Sequence, residues 1–184
     1  MASMEEQDGP IWPRLMFLPS LYYNRFLYLV GLCSPYSRII DNLFQGGLPD
    51  NELSAEIINR LRATLVISCN EPEELSHYDI KWKRFGVEQC ILPIPDFVGV
   101  PTMNQANKAV RLISHHLLHN GSVYVHCKAG RSRSAMIVAA YLLKSQTVSS
   151  ISEAISLINR KRPESSFKKI HIKFISDYFQ DYCR

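Results

Sequence analysis

Apolar and polar positions along this chain switch repeatedly between a strand-like alternation and a helix-like spacing. Ser37 to Gln45 reads as two short strands about a turn at Asp41 and Asn42, ending at Gly46 and Gly47. Asp50 or Asn51 is placed to cap a helix whose Leu53, Ile57, Ile58 and Leu61 share a face. "TLVIS" (Thr64 to Ser68) and "VEQCILPI" (Val87 to Ile94) read as short apolar strands. Met103 to His119 carries Ala106, Val110, Ile113 and Leu117 at helical spacing and is stopped by Asn120-Gly121. Ser122 to Val125 predicts a buried strand, followed by a helix from about Arg133 to Lys144. A capping box of Ser150 and Glu153 opens a helix to about Arg160, and a last helix shows Phe167, Ile170, Phe174 and Tyr178 on one face. Strands alternating with helices predict an α/β fold, a parallel-type sheet covered on both sides.

Residues 1–35 follow a different pattern and are read as an extension to a domain of residues 36–184. After the acidic Glu5, Glu6 and Asp8, the stretch from Gly9 to Ile40 has no acid and carries Arg14, Arg25 and Arg38 among large apolar groups. Arg14 and Arg25 would share a face on an unbroken helix, but Pro13 and Pro19 are expected to break it. Two readings stand side by side: a basic arm for organelle targeting or membrane contact, or an ordinary element packed on the domain. The acidic start and the shortage of serine fit a transit peptide poorly.

Composition narrows the class. The 184 residues are 46% hydrophobic and 21% charged, as in a globular domain with a proper core, and no apolar run is long enough for a secure transmembrane helix. Cys33, Cys69, Cys90, Cys127 and Cys183 are odd in number and widely spaced, which indicates neither a disulfide framework nor a zinc site and suggests a reducing compartment. His115, His116 and His119 crowd one helix without a carboxylate partner in sequence, so no metal is expected there. Net charge is +4, unevenly spread: between Phe97 and Ser152 there is no acid, while Lys108, Arg111, Lys128, Arg131, Arg133 and Lys144 give +6, leaving −2 elsewhere. Such a window favours an anionic partner, whether phosphate, nucleic acid or membrane surface, or else is a solvated face.

"VYVHCKAGRSRS", Val123 to Ser134, sharpens that choice. A loop between a buried strand and a helix lies at the carboxyl end of the sheet, where α/β folds bind ligands. Its backbone N–H groups and the helix N-terminus form a cup for an anion, with Gly130 permitting the turn. Lys128, Ala129, Gly130, Arg131, Ser132 and Arg133 are therefore the candidate phosphate binders. Cys127, at the floor of the cup, loses its proton readily beside cations and a helix N-terminus, and is the candidate nucleophile. Arg133 can fork onto phosphoryl oxygens, and Ser134 can donate to the departing sulfur. Asp96, after the strand ending "ILPIP", is the candidate acid for the leaving alcohol. His126 reads as a residue that positions the loop and helps the thiolate. Lys128 and Arg131 exceed what one phosphate needs, which suggests further negative charge on the substrate or beside it.

His126-Cys127-x5-Arg133-Ser134 resembles the signature of cysteine-dependent phosphatases of the dual-specificity type. "YSRIIDNLFQGGLP", Asn70-Glu71, "WKRFGVEQ", "DFVGVPT" and "HCKAGRSRSA" are further similar to the mitochondrial dual-specificity phosphatases that act on phosphatidylglycerophosphate. The family's acidic loop carries an aromatic after the Asn-Glu pair, where this chain has Pro72-Glu73-Glu74. The resemblance implies the phosphatase fold, with a central mostly parallel sheet flanked by helices. It also implies hydrolysis of an anionic phospholipid through a phosphocysteine, turning phosphatidylglycerophosphate into phosphatidylglycerol for cardiolipin synthesis. A monomer in peripheral contact with the matrix side of the mitochondrial inner membrane is expected, with no cofactor, metal or nucleic acid. The alternatives are a protein phosphatase for phosphotyrosine and phosphoserine/threonine, and a non-catalytic phosphate-binding module.

Overall fold

The computed structural model describes residues 16–76 and 80–183. Five strands form one sheet: β1 (Tyr36–Ile40), β2 (Leu43–Gly46), β3 (Ala63–Ser68), β4 (Glu88–Ile91) and β5 (Ser122–His126), in the order β1-β2-β5-β3-β4. Only β1 is antiparallel, paired with β2 around Asn42, whose φ of 60° is a left-handed conformation that asparagine tolerates. The other neighbours run parallel. The last strand in sequence thus lies in the middle of the sheet, and all five of its residues are buried.

Seven helices complete the described chain: α1 (Phe17–Leu29), α2 (Asn51–Asn59), α3 (Pro72–Leu75), α4 (Met103–Leu118), α5 (Arg133–Lys144), α6 (Ile151–Lys161) and α7 (Lys169–Tyr182), with a 3-10 turn at Trp82–Phe85. Strand side chains alternate between two cores, as the period of two requires. Leu65, Ile67, Val123 and Val125 face the larger core with α4 to α7, while Val66 and Tyr124 face a smaller one with Leu53, Ile57 and Trp82. Helix α5 is buried from Arg133 to Leu143, so its amino end is held rigidly at the carboxyl edge of β5.

Several sequence expectations shift in detail. The strand expected from Val87 to Ile94 is confined to Glu88–Ile91, because Pro93 and Pro95 have no N–H for the ladder. Glu153 receives its amide bond from Ser149, not Ser150, so the capping box of α6 is only half formed. On α7 the buried face is His171, Phe174, Ile175 and Tyr178, and Ile170 is 47% exposed. The elements α3 and the 3-10 turn were not foreseen, nor was α1. That helix runs through Pro19 because its first turn needs no backbone N–H donor. Pro13 and Arg14 lie outside the described residues, and Arg25 pairs with Asp50 at 2.5 Å. No helix among the described residues is long and apolar enough to cross a membrane.

Candidate active site

Between β5 and α5 the chain curls through a loop whose shape is set by where its carbonyls are tied. Lys128 O accepts from Leu48 N at 3.1 Å, and Arg131 O accepts from Ser166 N at 3.0 Å. Ala129 O accepts from Arg162 Nη2 at 3.2 Å and Tyr28 Oη at 3.4 Å. Gly130 O accepts from Arg162 Nε at 2.7 Å and Gln45 Nε2 at 3.0 Å. A planar peptide sends its N–H opposite to its C=O. Four carbonyls drawn outward therefore aim the amides of Ala129, Gly130, Arg131 and Ser132 into the cup. Gly130 closes the curve at φ 66°, and a Cβ there would stand 2.3 Å from the carbonyl carbon of Gly46.

Cys127 lies under this cup, 3% exposed, with its Sγ 3.6 Å from Ser134 Oγ. Burial pushes its thiol up, but the Arg133 charge and the amide and hydroxyl of Ser134 outweigh it and hold the thiol below its ordinary range. Arg133 is also buried, and its forked end is fully engaged. Nη1 donates to Glu74 Oε2 at 2.6 Å and Ile94 O at 2.9 Å, and Nη2 donates to Glu74 Oε1 at 3.0 Å. Asp96 Oδ1 lies 3.0 Å from the same Nη2, whereas the buried Nε–H has no partner. The guanidinium keeps its charge: burial opposes it, but the hydrogen bonds with Glu74 and the neighbouring anions prevail and raise its pKa.

Asp96 also forms an ion pair with Lys128, whose Nζ donates to Ser20 Oγ at 2.7 Å and lies 4.4 Å from the centre of the Phe97 ring. Phe97 itself holds φ 64° at the centre of a tight turn closed by Val98 N to Asp96 O at 2.8 Å, a strained conformation for a bulky residue. Lys128 was expected to reach outlying charge on the substrate. It is instead 5% exposed and engaged by Asp96 and Ser20 at the cavity wall. Arg131 and Lys168 hold the outer positions, lining a cavity of about 320 Å³ with Tyr23, Phe97, Cys127 and Arg133. His126 is buried, its Nε2 2.9 Å from Ser68 Oγ, and burial pushes it down to about 3. It is neutral and ties β5 to β3, so it lends the thiolate no positive charge.

Residues 43–181 match the family model of the dual specificity phosphatase catalytic domain. The chain belongs to this family. As a dual-specificity phosphatase it is a phosphoric monoester hydrolase working through a cysteine, and the mixed sheet with its flanking helices is the family's fold. Among its relatives, the rat phosphatidylglycerophosphatase and protein-tyrosine phosphatase 1 is 33% identical over 174 residues, spanning 91% of this chain and 90% of the relative. Its human counterpart is 39% identical over 137 residues, spanning 71% and 68%. The crystal structure of PTPMT1 in complex with PI(5)P superimposes with a TM-score of 0.77 at 32% identity, over 81% of this chain and 97% of that one.

In this dual-specificity phosphatase Cys127, Arg133 and Asp96 line one cavity, and Ser134 is fully buried behind the thiol, with Lys128, Ala129, Arg131 and Ser132 of the loop also at the cavity wall. Sequence reasoning missed Glu74, which holds the arginine, and Arg162, fully buried and holding two loop carbonyls. Glu74 had a signal, an acidic run just past the carboxyl end of β3. Arg162 had none, being one cation among several in "NRKRPE". Ser20, Tyr23 and Tyr28 bring α1 to the site, and no spacing in the sequence indicates that.

Proposed function

We propose that the chain hydrolyses the terminal phosphate of an anionic phospholipid, phosphatidylglycerophosphate, releasing phosphatidylglycerol and inorganic phosphate. The observation that carries this reading is the cavity: a thiolate and amide cup at its floor, Arg131 and Lys168 at its rim, and aromatic walls from Tyr23 and Phe97. Such a site suits a phosphate monoester with further negative charge and an apolar remainder. The names of the rat and human relatives point the same way.

On this reading the Cys127 thiolate attacks phosphorus in line, forming the S–P bond as the P–O bond to the glycerol oxygen breaks. The phosphoryl oxygens take the loop amides, Arg133 Nε–H, and the Nη2–H that faces Asp96. Parted from Arg133, the Asp96 carboxylate takes up the proton that the phosphate monoanion carries and passes it to the leaving alkoxide. Asp96 then takes a proton from water, the water oxygen bonds to phosphorus, and the S–P bond breaks with Ser134 donating to the departing sulfur. Positive charge comes from Arg133 and the backbone, so activity should survive EDTA. Residues 36–184 carry this chemistry, and the enzyme works peripherally at the matrix side of the mitochondrial inner membrane, ahead of cardiolipin formation.

The relatives' names also include protein-tyrosine phosphatase activity, which is the second reading. Phosphate release from phosphatidylglycerophosphate in detergent micelles, compared with release from phosphotyrosine peptides, separates the two. A kcat/KM higher on the peptides would replace the lipid reading with the protein one.

A further inference from the structure

We propose that the outer face of α1 docks on an anionic phospholipid bilayer and sets the mouth of the active site against it. The inference rests on the lipid reading above and names the surface through which that substrate is reached.

Helix α1 carries large apolar residues on two opposite faces, yet only one of those faces is covered. Its inner face holds the domain. Phe17 and Leu21 pack on Leu48, and Tyr28 reaches Ala129 O of the catalytic loop. The opposite stripe, at the helical spacing of Leu18, Tyr22, Phe26 and Leu29, is exposed: Tyr22 is 65%, Phe26 58% and Leu29 85% accessible. Leu32, just beyond the helix, is 72% accessible. A helix with apolar residues on both faces is ordinarily buried or set in lipid. Exposure of so many large apolar groups on one short element marks a surface that another body covers.

Two observations identify that body as a bilayer. The first is continuity with the mouth: Ser20, Tyr23 and Asn24 of α1 line the catalytic cavity together with Phe97 and Gly99. Tyr23 is 59% exposed, and Val98, between the cavity-lining Phe97 and Gly99, is 49% exposed. An apolar surface that reaches the rim of a phosphate site is laid out for a substrate whose phosphate stands at the edge of an apolar phase. The second is charge. The chain has no acid from Gly9 to Ile40, and the cations left at the mouth are the half-buried Arg131 and the exposed Lys168, Lys128 being engaged with Asp96. Each cation near an anionic leaflet adds attraction, and tyrosine, with an apolar ring and a polar tip, is favoured at the headgroup boundary.

The test uses the full chain, vesicles of phosphatidylcholine with and without phosphatidylglycerol, and the variant Phe26→Asp/Leu29→Asp, which alters only exposed positions. The wild type should sediment with the anionic vesicles, and the variant's partition should fall at least about tenfold. Its kcat/KM on phosphatidylglycerophosphate in vesicles should fall in step, while that on a small aryl phosphate stays within about twofold of wild type. In a separate variant, Leu29→Trp, fluorescence should be quenched by lipids brominated on their acyl chains. Undiminished vesicle binding by the aspartate variant, or no quenching of the tryptophan, would overturn the proposal. So would a wild-type dimer that the aspartates convert to a monomer, since a second copy would then be the cover. Phosphate release from the lipid in micelles without vesicle binding would remove the docking surface and leave the substrate reading intact. Vesicle binding through α1 with no release from that lipid in micelles would do the reverse.

Discussion

Glu74 and Arg133 meet end-on, each carboxylate oxygen accepting from a different terminal nitrogen of the guanidinium, at 2.6 and 3.0 Å. Both side chains are almost wholly buried, 8% and 3% exposed. A bidentate pair of planar groups fixes orientation as well as distance. With its far edge held this way, the guanidinium can present only its Nε edge toward the cup. Glu74 is itself held by the Glu71 amide, which donates to its Oε2 at 2.9 Å, so the short helix α3 acts as a mount for the arginine.

Glu74→Gln should leave the fold intact and lower kcat/KM by about a hundredfold, because a small misalignment of a phosphoryl clamp is costly. Glu74→Leu, which leaves the buried arginine with Asp96 as its remaining carboxylate, should also lower unfolding free energy by about 3 kcal/mol. Urea melts and steady-state kinetics check both. Wild-type kinetics in Glu74→Gln would show that Arg133 needs no mount.

The Cys127 thiol lies below its ordinary 9.0, so its thiolate forms at lower pH than in the unfolded chain. The resulting stabilisation is complete above the unfolded value and is lost as pH falls through the folded one. Alkylation of Cys127 by iodoacetamide should therefore reach half its maximal rate below pH 9.0. Ser134→Ala, which removes the hydroxyl but not the amide, should move that midpoint upward. Cys127→Ser should abolish turnover yet still bind vanadate in the amide cup. An unmoved midpoint in Ser134→Ala would mean that the hydroxyl does not stabilise the thiolate.

Asp96→Asn should lower turnover of an alkyl phosphate about a hundredfold or more, and that of an aryl phosphate much less, since a phenolate leaves without a proton. Parallel losses on the two substrates would take the acid's role from Asp96.

Arg162→Met should destabilise the protein by about 3 kcal/mol, because it removes charge-assisted hydrogen bonds to buried carbonyls of Ala129 and Gly130. Phosphate affinity should fall with it as the amides lose their common aim. Arg162→Lys should recover little, since a point charge cannot serve both carbonyls. Denaturant melts and titration with vanadate read the two effects.

What was legible in the sequence was what is local. Cys127, Arg133 and Ser134 lie on one strand-loop-helix unit, so their meeting follows from the turn alone. Asp96 was found because it ends a run toward the same sheet edge. Glu74 and Arg162 act on that loop from 59 and 32 residues away, at distances where spacing carries no signal. Lys128 shows the opposite failure. Its place in the motif is plain, but its direction depends on Ser20, more than a hundred residues earlier in the chain. Helix α1 was obscured by Pro19, whose effect depends on whether it falls in a first turn or in a helix interior.

The ion pairs among Glu74, Asp96, Lys128 and Arg133 also bear on selectivity against ordinary solutes. Two carboxylates and two cations cancel, so the pocket does not stand open as a bare positive hole. A free inorganic anion must part Asp96 from Arg133 before it can use the arginine's whole inner edge, and it brings nothing else with which to do so. A substrate with an anchored tail has binding free energy from parts far from the reacting phosphate, and that can drive the exchange. The enzyme should thus bind dissolved phosphate and sulfate weakly, and the phosphate it releases should leave readily.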